Sequence, residues 1–312
     1  MRELRTKTCI CTLICLLLLM GMSVVVAQGS ESGNLGIPVV SESAAPVQEL
    51  CISDTAYAAF RRPPGPGPFP TVIFMHGGHE MIELSKLKKL LRAITREQFL
   101  EWGYVVVDAT RRPILPDPQE RGVIPDTLAI IEAVKELDFV DPESVVLYGG
   151  SGGGSLALEV AGKIDLAGVV VGEPASIILI GMYKKEHPAK KGALQALMKM
   201  DPRSLYTDEL QKRTRKKLKD IRCPILILHG DQHSIKNVNL RVLVPEMVEM
   251  GNDVRLIIFP GEDHGFYFGR GSAEATLKSH SEADAFYRKY IRTQPTPVDP
   301  EHLVESESET SP

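Results

Sequence analysis

The sharpest chemical signal in the sequence is the run Gly149-Gly150-Ser151-Gly152-Gly153. It follows an apolar stretch, residues 145–148, that reads as a strand, and it opens a helical pattern over 152–161. Glycine on both sides lets a serine sit on a turn too tight for flanking side chains, which lifts Oγ clear of its surroundings. The free N–H groups at the start of the helix point to the same place and suit a developing oxyanion. A phosphate-binding loop fits poorly, because no Lys-Ser/Thr pair follows and no G-x-G-x-x-G register is present. Ser151 is therefore a candidate nucleophile in a G-x-S-x-G turn.

Two further runs supply what such a nucleophile needs. His264, in Gly261-Glu262-Asp263-His264-Gly265-Phe266, offers an imidazole able to take the serine proton near neutral pH. The run His76-Gly77-Gly78-His79 lies at the end of an expected strand, 71–75. There the main chain can approach a substrate and add a second oxyanion donor, from Gly77, Gly78 or His79, to that of Gly152. Taken singly, His264 could be a surface histidine and His76 a structural one in a turn; the serine turn and the 76–79 run predict each other.

These residues need a scaffold that brings distant segments together. Apolar runs alternate with helix-period segments between residues 49 and 292, the pattern of a mostly parallel sheet wrapped by helices. Strands are expected over 49–60 (or a hairpin there), 71–75, 104–109, 145–148, 166–171, 225–229 and 254–259. Helices are expected from 84 to about 101, from an N-cap at Asp126, and over 152–161, 239–250 and 274–290. The basic stretch 184–222 interrupts the pattern, and 173–222 is a candidate small cap insertion. The run Lys212 to Lys219 reads as one face of an exposed helix.

With 312 residues, 43% hydrophobic and 24% charged, the chain can bury a full core without disulfide or metal staples. A net charge of −4 leaves no electrostatic footprint for nucleic acid, so function is expected in a cleft; the serine and histidine runs make a small-molecule ester or peptide the expected partner.

The chain resembles the α/β-hydrolase fold. Gly67-Pro68-Phe69-Pro70-Thr71-Val72 leading into His76-Gly77-Gly78, and Phe259-Pro260 leading into His264-Gly265-Phe266, are similar to prolyl oligopeptidase-type catalytic domains and to their dienelactone-hydrolase and esterase relatives. The resemblance spans about residues 67–292. It implies an eight-stranded, mostly parallel sheet with helices on both faces, a Ser-acid-His triad, and a serine hydrolase that needs no cofactor.

The acid departs from that pattern. These families place the aspartate three residues after His-Gly at the end of the seventh strand, but in His229-Gly230-Asp231-Gln232-His233 that position holds His233. Asp231, on the same loop, is the first candidate; Glu173, after the strand 166–171, is the alternative acid; a triad with no working acid is the third reading. The third motivates a rival, a catalytically impaired α/β-hydrolase-fold binding protein.

Five of the eight histidines, His76, His79, His229, His233 and His264, fall at expected strand ends. No pair of them lies on an expected helix, so a metal site is disfavoured. Arg111 and Arg112, at the same edge, could bind an anionic substrate group, or be solvated or salt-bridged to nearby acids.

Residues 1–27 have the form of a signal peptide. A basic start with Arg2, Arg5 and Lys7 precedes an apolar stretch, and small residues end at Ala27. A secreted or periplasmic protein without stable membrane association follows, with an uncleaved anchor as the alternative reading. Residues 28–46 read as a linker and 293–312 as a solvated acidic tail. Cys51 and Cys223, the cysteines outside the signal, could either pair or remain as free thiols.

Overall fold

A computed structural model describes residues 46–78, 80–114, 122–182 and 201–298. The expected signal segment, nearly all of the expected linker, His79, residues 183–200 of the expected cap and the tail beyond residue 298 lie outside the described residues.

Near-continuous apolar runs in the central strands send apolar side chains to both faces, which builds a sheet buried on both sides there. Its strands are β1 (Gln48–Ser53), β2 (Ala56–Arg61), β3 (Phe69–Met75), β4 (Val105–Ala109), β5 (Val140–Gly150), β6 (Gly168–Gly172), β7 (Ile225–Gly230) and β8 (Val254–Phe259). They lie side by side in the order β1-β2-β4-β3-β5-β6-β7-β8. The β1–β2 and β2–β4 pairs are antiparallel and every other pair is parallel. The expected α/β-hydrolase architecture is thus present.

Ile73, Met75, Val107, Leu147, Val171 and Ile227 face one layer of helices: α3 (Val123–Lys135), α4 (Gly152–Ala161), α5 (Ser176–Ile180), α6 (Asp208–Leu218) and α7 (Val244–Glu249). Val72, Phe74, Val106, Tyr148, Val170 and Leu228 face the other layer, formed by α1 (Leu84–Leu90), α2 (Ile94–Glu101) and α8 (Ala273–Tyr287). Each fully buried branched side chain in these rows contributes on the order of 2 kcal/mol.

The chain leaves β3 toward β4 on one side and later enters β5 on the other. This reversal opens a crevice beyond the strand ends, where ligands bind open α/β sheets. Gly77 and Gly78 follow β3 and Ser151 follows β5, so the fold puts both runs at the reversal.

Several expectations are corrected. The helix expected from 84 to 101 is two helices, with Ala93 extended between them. The buried Arg61 guanidinium takes the Leu91 carbonyl freed at the break (3.2 Å) and pairs with Glu97 at 2.5 Å. Asp126 is not an N-cap: α3 starts three residues earlier, and Asp126 sits in its first turn with Arg112 Nε at 2.6 Å.

The described parts of 173–222 pack as ordinary layers and not as a cap. Residues Ile177 to Ile180 of α5 are core, and the end of α6 lies beside Gly162, at the far end of α4 from Ser151. Residues 293–298 are docked on the domain and not part of a solvated tail. Thr293 Oγ1 donates to Asp141 Oδ2 (2.5 Å), and Val298 N donates to Glu101 O (2.9 Å). Cys51 is exposed and Cys223 buried, and the two do not pair.

Candidate active site

Ser151 stands between β5 and α4 with φ 52° and ψ −116°, a conformation that non-glycine residues rarely adopt. The neighbouring glycines explain how the turn closes. A Cβ on Gly149 would lie 2.6 Å from Gly153 O, one on Gly153 would lie 2.2 Å from Met75 O, and one on Gly150 would enter the Phe268 ring at 2.5 Å. Two anchors hold the turn in place: Ser151 N donates to Gly172 O (2.9 Å), and Ser155 N donates to Ser151 O (3.1 Å).

The loop after β3 passes directly beside this turn. A Cβ on Gly77 would be 3.4 Å from Ser151 Cβ, and one on Gly152 would be 2.7 Å from Gly78 O. The N–H groups of Gly77, Gly78 and Gly152 donate to no group among the described residues. The segment that carries the expected oxyanion donors Gly77 and Gly78 therefore packs against the Ser151–Gly152 turn.

Only two non-glycine residues among the described ones have positive φ: Ser151 and Glu173, the latter at 44°. Such strain costs on the order of 1–3 kcal/mol and clusters at functional sites. Glu173 leaves β6 in the sequence Gly172-Glu173-Pro174, and its carboxylate is fully buried. Oε2 lies 2.8 Å from His264 Nδ1 and accepts from Gly265 N at 3.0 Å; Oε1 accepts from Gly230 N at 3.2 Å. These partners compensate a buried charge that would otherwise be costly.

The imidazole approaches Glu173 at ion-pair distance with its N–H turned off the oxygen, since Nδ1 makes no aligned hydrogen bond among the described residues. Such bonds in free enzymes commonly tighten only with substrate bound. Gly230 is glycine because a Cβ there would lie 2.3 Å from Glu262 O and 3.2 Å from Glu173 Oε1.

Asp231, the first candidate for the acid, is corrected by this geometry. Its Oδ1 accepts from Gly261 N (2.8 Å) and Gln232 Nε2 (2.6 Å), which ties the β7 loop to the β8 loop and holds its carboxyl below the usual range. It has no ion pair or hydrogen bond with His264 among the described residues. Strand order alone does not choose, since the ends of β6 and β7 both lie between Ser151 and the histidine loop; the side chains do, with Glu173 turned to His264 and Asp231 turned to Gly261 and Gln232. The sequence signal for Glu173 is an acid held between Gly and Pro just after a wholly apolar strand.

Around this carboxylate sit residues whose roles were not read from the sequence. His233, at the position where the family pattern calls for aspartate, stacks on the His264 ring at 4.5 Å between centroids and 30° between planes. Burial, followed by the charge of His264, pushes its pKa down. Tyr267 is fully buried and touches all three site elements. Its ring fills the space a Cβ on Gly150 or Gly172 would take, its phenol lies against the Ser151 backbone, and its ring stands edge-on to His264 at 6.2 Å. Ser151, Glu173 and His264 thus surround one aromatic side chain. His229 Nδ1 contacts Gly230 O at 2.6 Å, and burial pushes its pKa down, so a neutral imidazole backs the acid.

Among the described residues, no group of three His, Cys, Asp or Glu side chains could hold a metal ion. The two arginines part ways. Arg112 pairs with Asp126, while Arg111 is fully buried against the loop after β3. A cleft of about 860 Å³ lined by Lys163, Asp165, Cys223 and Pro224 opens at the opposite ends of the strands, away from Ser151.

The prolyl oligopeptidase family model matches residues 119–294, more than half of the chain. No curated protein sequence matches it. Among solved structures, esterase 2 of Thermogutta terrifontis phosphonylated by sarin is 21% identical with a TM-score of 0.55, over 80% of this chain and 96% of that one. The native form of the same esterase is 20% identical with a TM-score of 0.54, over 81% and 96%. These likenesses show the fold, and the family match covers α3 to α8 with Ser151, Glu173 and His264. The chain belongs to the prolyl oligopeptidase family, as a serine hydrolase of α/β-hydrolase fold.

Proposed function

We propose that the protein hydrolyses short-chain carboxylic esters through an acyl-enzyme on Ser151. Ser151 Oγ attacks the ester carbonyl as His264 takes its proton, and the N–H groups of Gly152 and of Gly77 or Gly78 hold the oxyanion. Collapse breaks the ester C–O bond, and the alcohol leaves with the proton from His264. A water then gives a proton to His264 and attacks the acyl carbon; the carboxylic acid departs and Ser151 regains its proton. Glu173 orients His264 and stabilises the imidazolium formed in each half. The observation that carries this reading is the buried Glu173 carboxylate 2.8 Å from His264 Nδ1, beside a strained serine turn. It also removes the motive for the impaired binding protein, which rested on a missing acid.

An ester is preferred to a peptide because the similar solved structures are of an esterase, with butyrate-bound and propionate-bound forms among them. The basic and apolar pattern of residues 1–27 supports export with removal of that segment. The test is labelling by a fluorophosphonate together with turnover of p-nitrophenyl butyrate. Wild type is expected to label at Ser151 and turn over, and Ser151→Ala to do neither. Equal turnover by the two would overturn the proposal.

A further inference from the structure

Arg111 is among the largest side chains in the molecule to be fully buried, and it lies at the catalytic edge of the sheet. Its Nη2 donates to three consecutive carbonyls: His76 O at 3.2 Å, Gly77 O at 3.1 Å and Gly78 O at 2.5 Å. The same nitrogen is 3.6 Å from the point where a Cβ on Gly152 would stand. A buried cation must be met by oriented dipoles or its desolvation is prohibitive, so these carbonyls turn inward. The peptide unit is planar and trans, so its N–H points opposite to its C=O. Drawing the carbonyls of His76 and Gly77 onto Arg111 therefore turns the N–H groups of Gly77 and Gly78 the other way. Those are the N–H groups left without a partner among the described residues, beside Ser151.

Resting on the serine-hydrolase reading above, we propose that Arg111 is a positioning residue for the oxyanion site, holding the loop after β3 with its amides presented to the substrate carbonyl oxygen. Burial lowers the guanidinium to about 10, which leaves it charged at neutral pH. His76 assists from the other side: its Nδ1 lies 2.8 Å from Gly77 O, and burial with the Arg111 charge holds the ring neutral at about 3. Gly78, at φ 85°, supplies the left-handed turn that brings a third carbonyl onto the same nitrogen. From sequence Arg111 is expected to bind a substrate anion, to be solvated or to join a salt bridge; among the described residues it joins no salt bridge, and its partners are backbone carbonyls.

Removing a single oxyanion donor costs about 10²–10³ in kcat. Arg111→Met is expected to lower kcat about 100-fold per active site, with KM within about threefold, and Arg111→Lys, which keeps charge and one donor direction, about 10-fold. Sites are counted by fluorophosphonate incorporation at completion, so misfolded protein drops out of the comparison. A trifluoromethyl ketone, which forms the tetrahedral oxyanion, should lose affinity by the same factor as kcat/KM, while a carboxylate product should not. Unchanged kcat per site and unchanged ketone affinity overturn the proposal, because a merely structural residue would lower only melting temperature and site count.

If neither variant folds, ¹⁵N-glycine-labelled wild type decides. The Gly77 or Gly78 amide proton moves downfield when Ser151 is phosphonylated, and no movement of either overturns the proposal. Wild type that is neither labelled at Ser151 nor active removes the hydrolase reading and this inference together. An active, labelled wild type with unaffected Arg111 variants removes this inference alone.

Discussion

Glu173→Gln separates the geometry from the local spacing of the sequence, because the first points to Glu173 and the second to Asp231. The substitution keeps the volume of a side chain that has no exposure and removes the charge 2.8 Å from His264 Nδ1. At that separation, with an effective dielectric constant near 20, a carboxylate and an imidazolium attract by about 6 kcal/mol. The His264 ring is 31% exposed, and solvent screening brings this to roughly 4–5 kcal/mol. Each 1.36 kcal/mol is a tenfold change in rate, so kcat should fall about 10³- to 10⁴-fold. Loss of the buried carboxylate in other serine triads has a similar effect, about 10⁴.

The amide also meets two backbone donors, Gly230 N and Gly265 N, with one oxygen. One buried N–H loses its acceptor, at about 1–3 kcal/mol of stability. The assay is p-nitrophenyl butyrate hydrolysis per folded protein, with folding followed by near-ultraviolet circular dichroism and urea titration. Asp231→Asn is the control and should stay within about threefold of wild type, because its partners lie in a surface loop. A large loss in Asp231→Asn with less than tenfold in Glu173→Gln would refute the assignment.

Other substitutions probe the strain and the buried histidines. Ser151→Gly should abolish turnover yet raise stability by about 1 kcal/mol, or about 2–4 °C in Tm, by relieving the positive φ; Ser151→Ala should abolish turnover with Tm unchanged. An equal Tm in the glycine and alanine variants would show that the turn stores no strain. Gly153→Ala drives a methyl to 2.2 Å from Met75 O and 2.5 Å from His76 O, and should cost several kcal/mol in urea unfolding.

Burial pushes His280 down to about 4, so as pH falls below about 6.5 the unfolded chain binds a proton that the native state refuses. Its contribution is complete above pH 6.5 and is lost on acidification toward pH 4. Stability should fall by about 2 kcal/mol between pH 6.5 and 5 on this account. His280→Gln should flatten the urea-unfolding profile by about one proton, and an unchanged slope would contradict the reasoning.

What was legible in the residues was what depends on near neighbours. Ser151 can occupy its turn only with small residues at 149, 150, 152 and 153, and that steric demand is written within five positions of the chain. The short, nearly continuous apolar runs likewise point to strands wrapped by helices, because side chains alternate faces within one strand and a run without polar residues needs cover on both. The break between α1 and α2 escaped such reading, since it answers a buried guanidinium arriving from β2.

Which carboxylate meets His264 was decided by tertiary structure alone. Glu173, Asp231 and His264 sit on three separate strand-end loops, and local spacing favoured the aspartate nearest the family position. Lateral strand order brings the ends of both β6 and β7 between Ser151 and His264, and the choice falls to the loops: Glu173 is turned onto His264 and Gly265 N, while Asp231 joins its own loop to the next. Arg111 follows the same logic. Its charge is visible in the chain, but the three carbonyls that receive it lie some thirty residues away, and only the packing of β4 beside β3 brings them within reach. Requirements set by excluded volume act between adjacent residues and can be read in order; pairings set by the stacking of strands act across the sheet and exist only once it has formed.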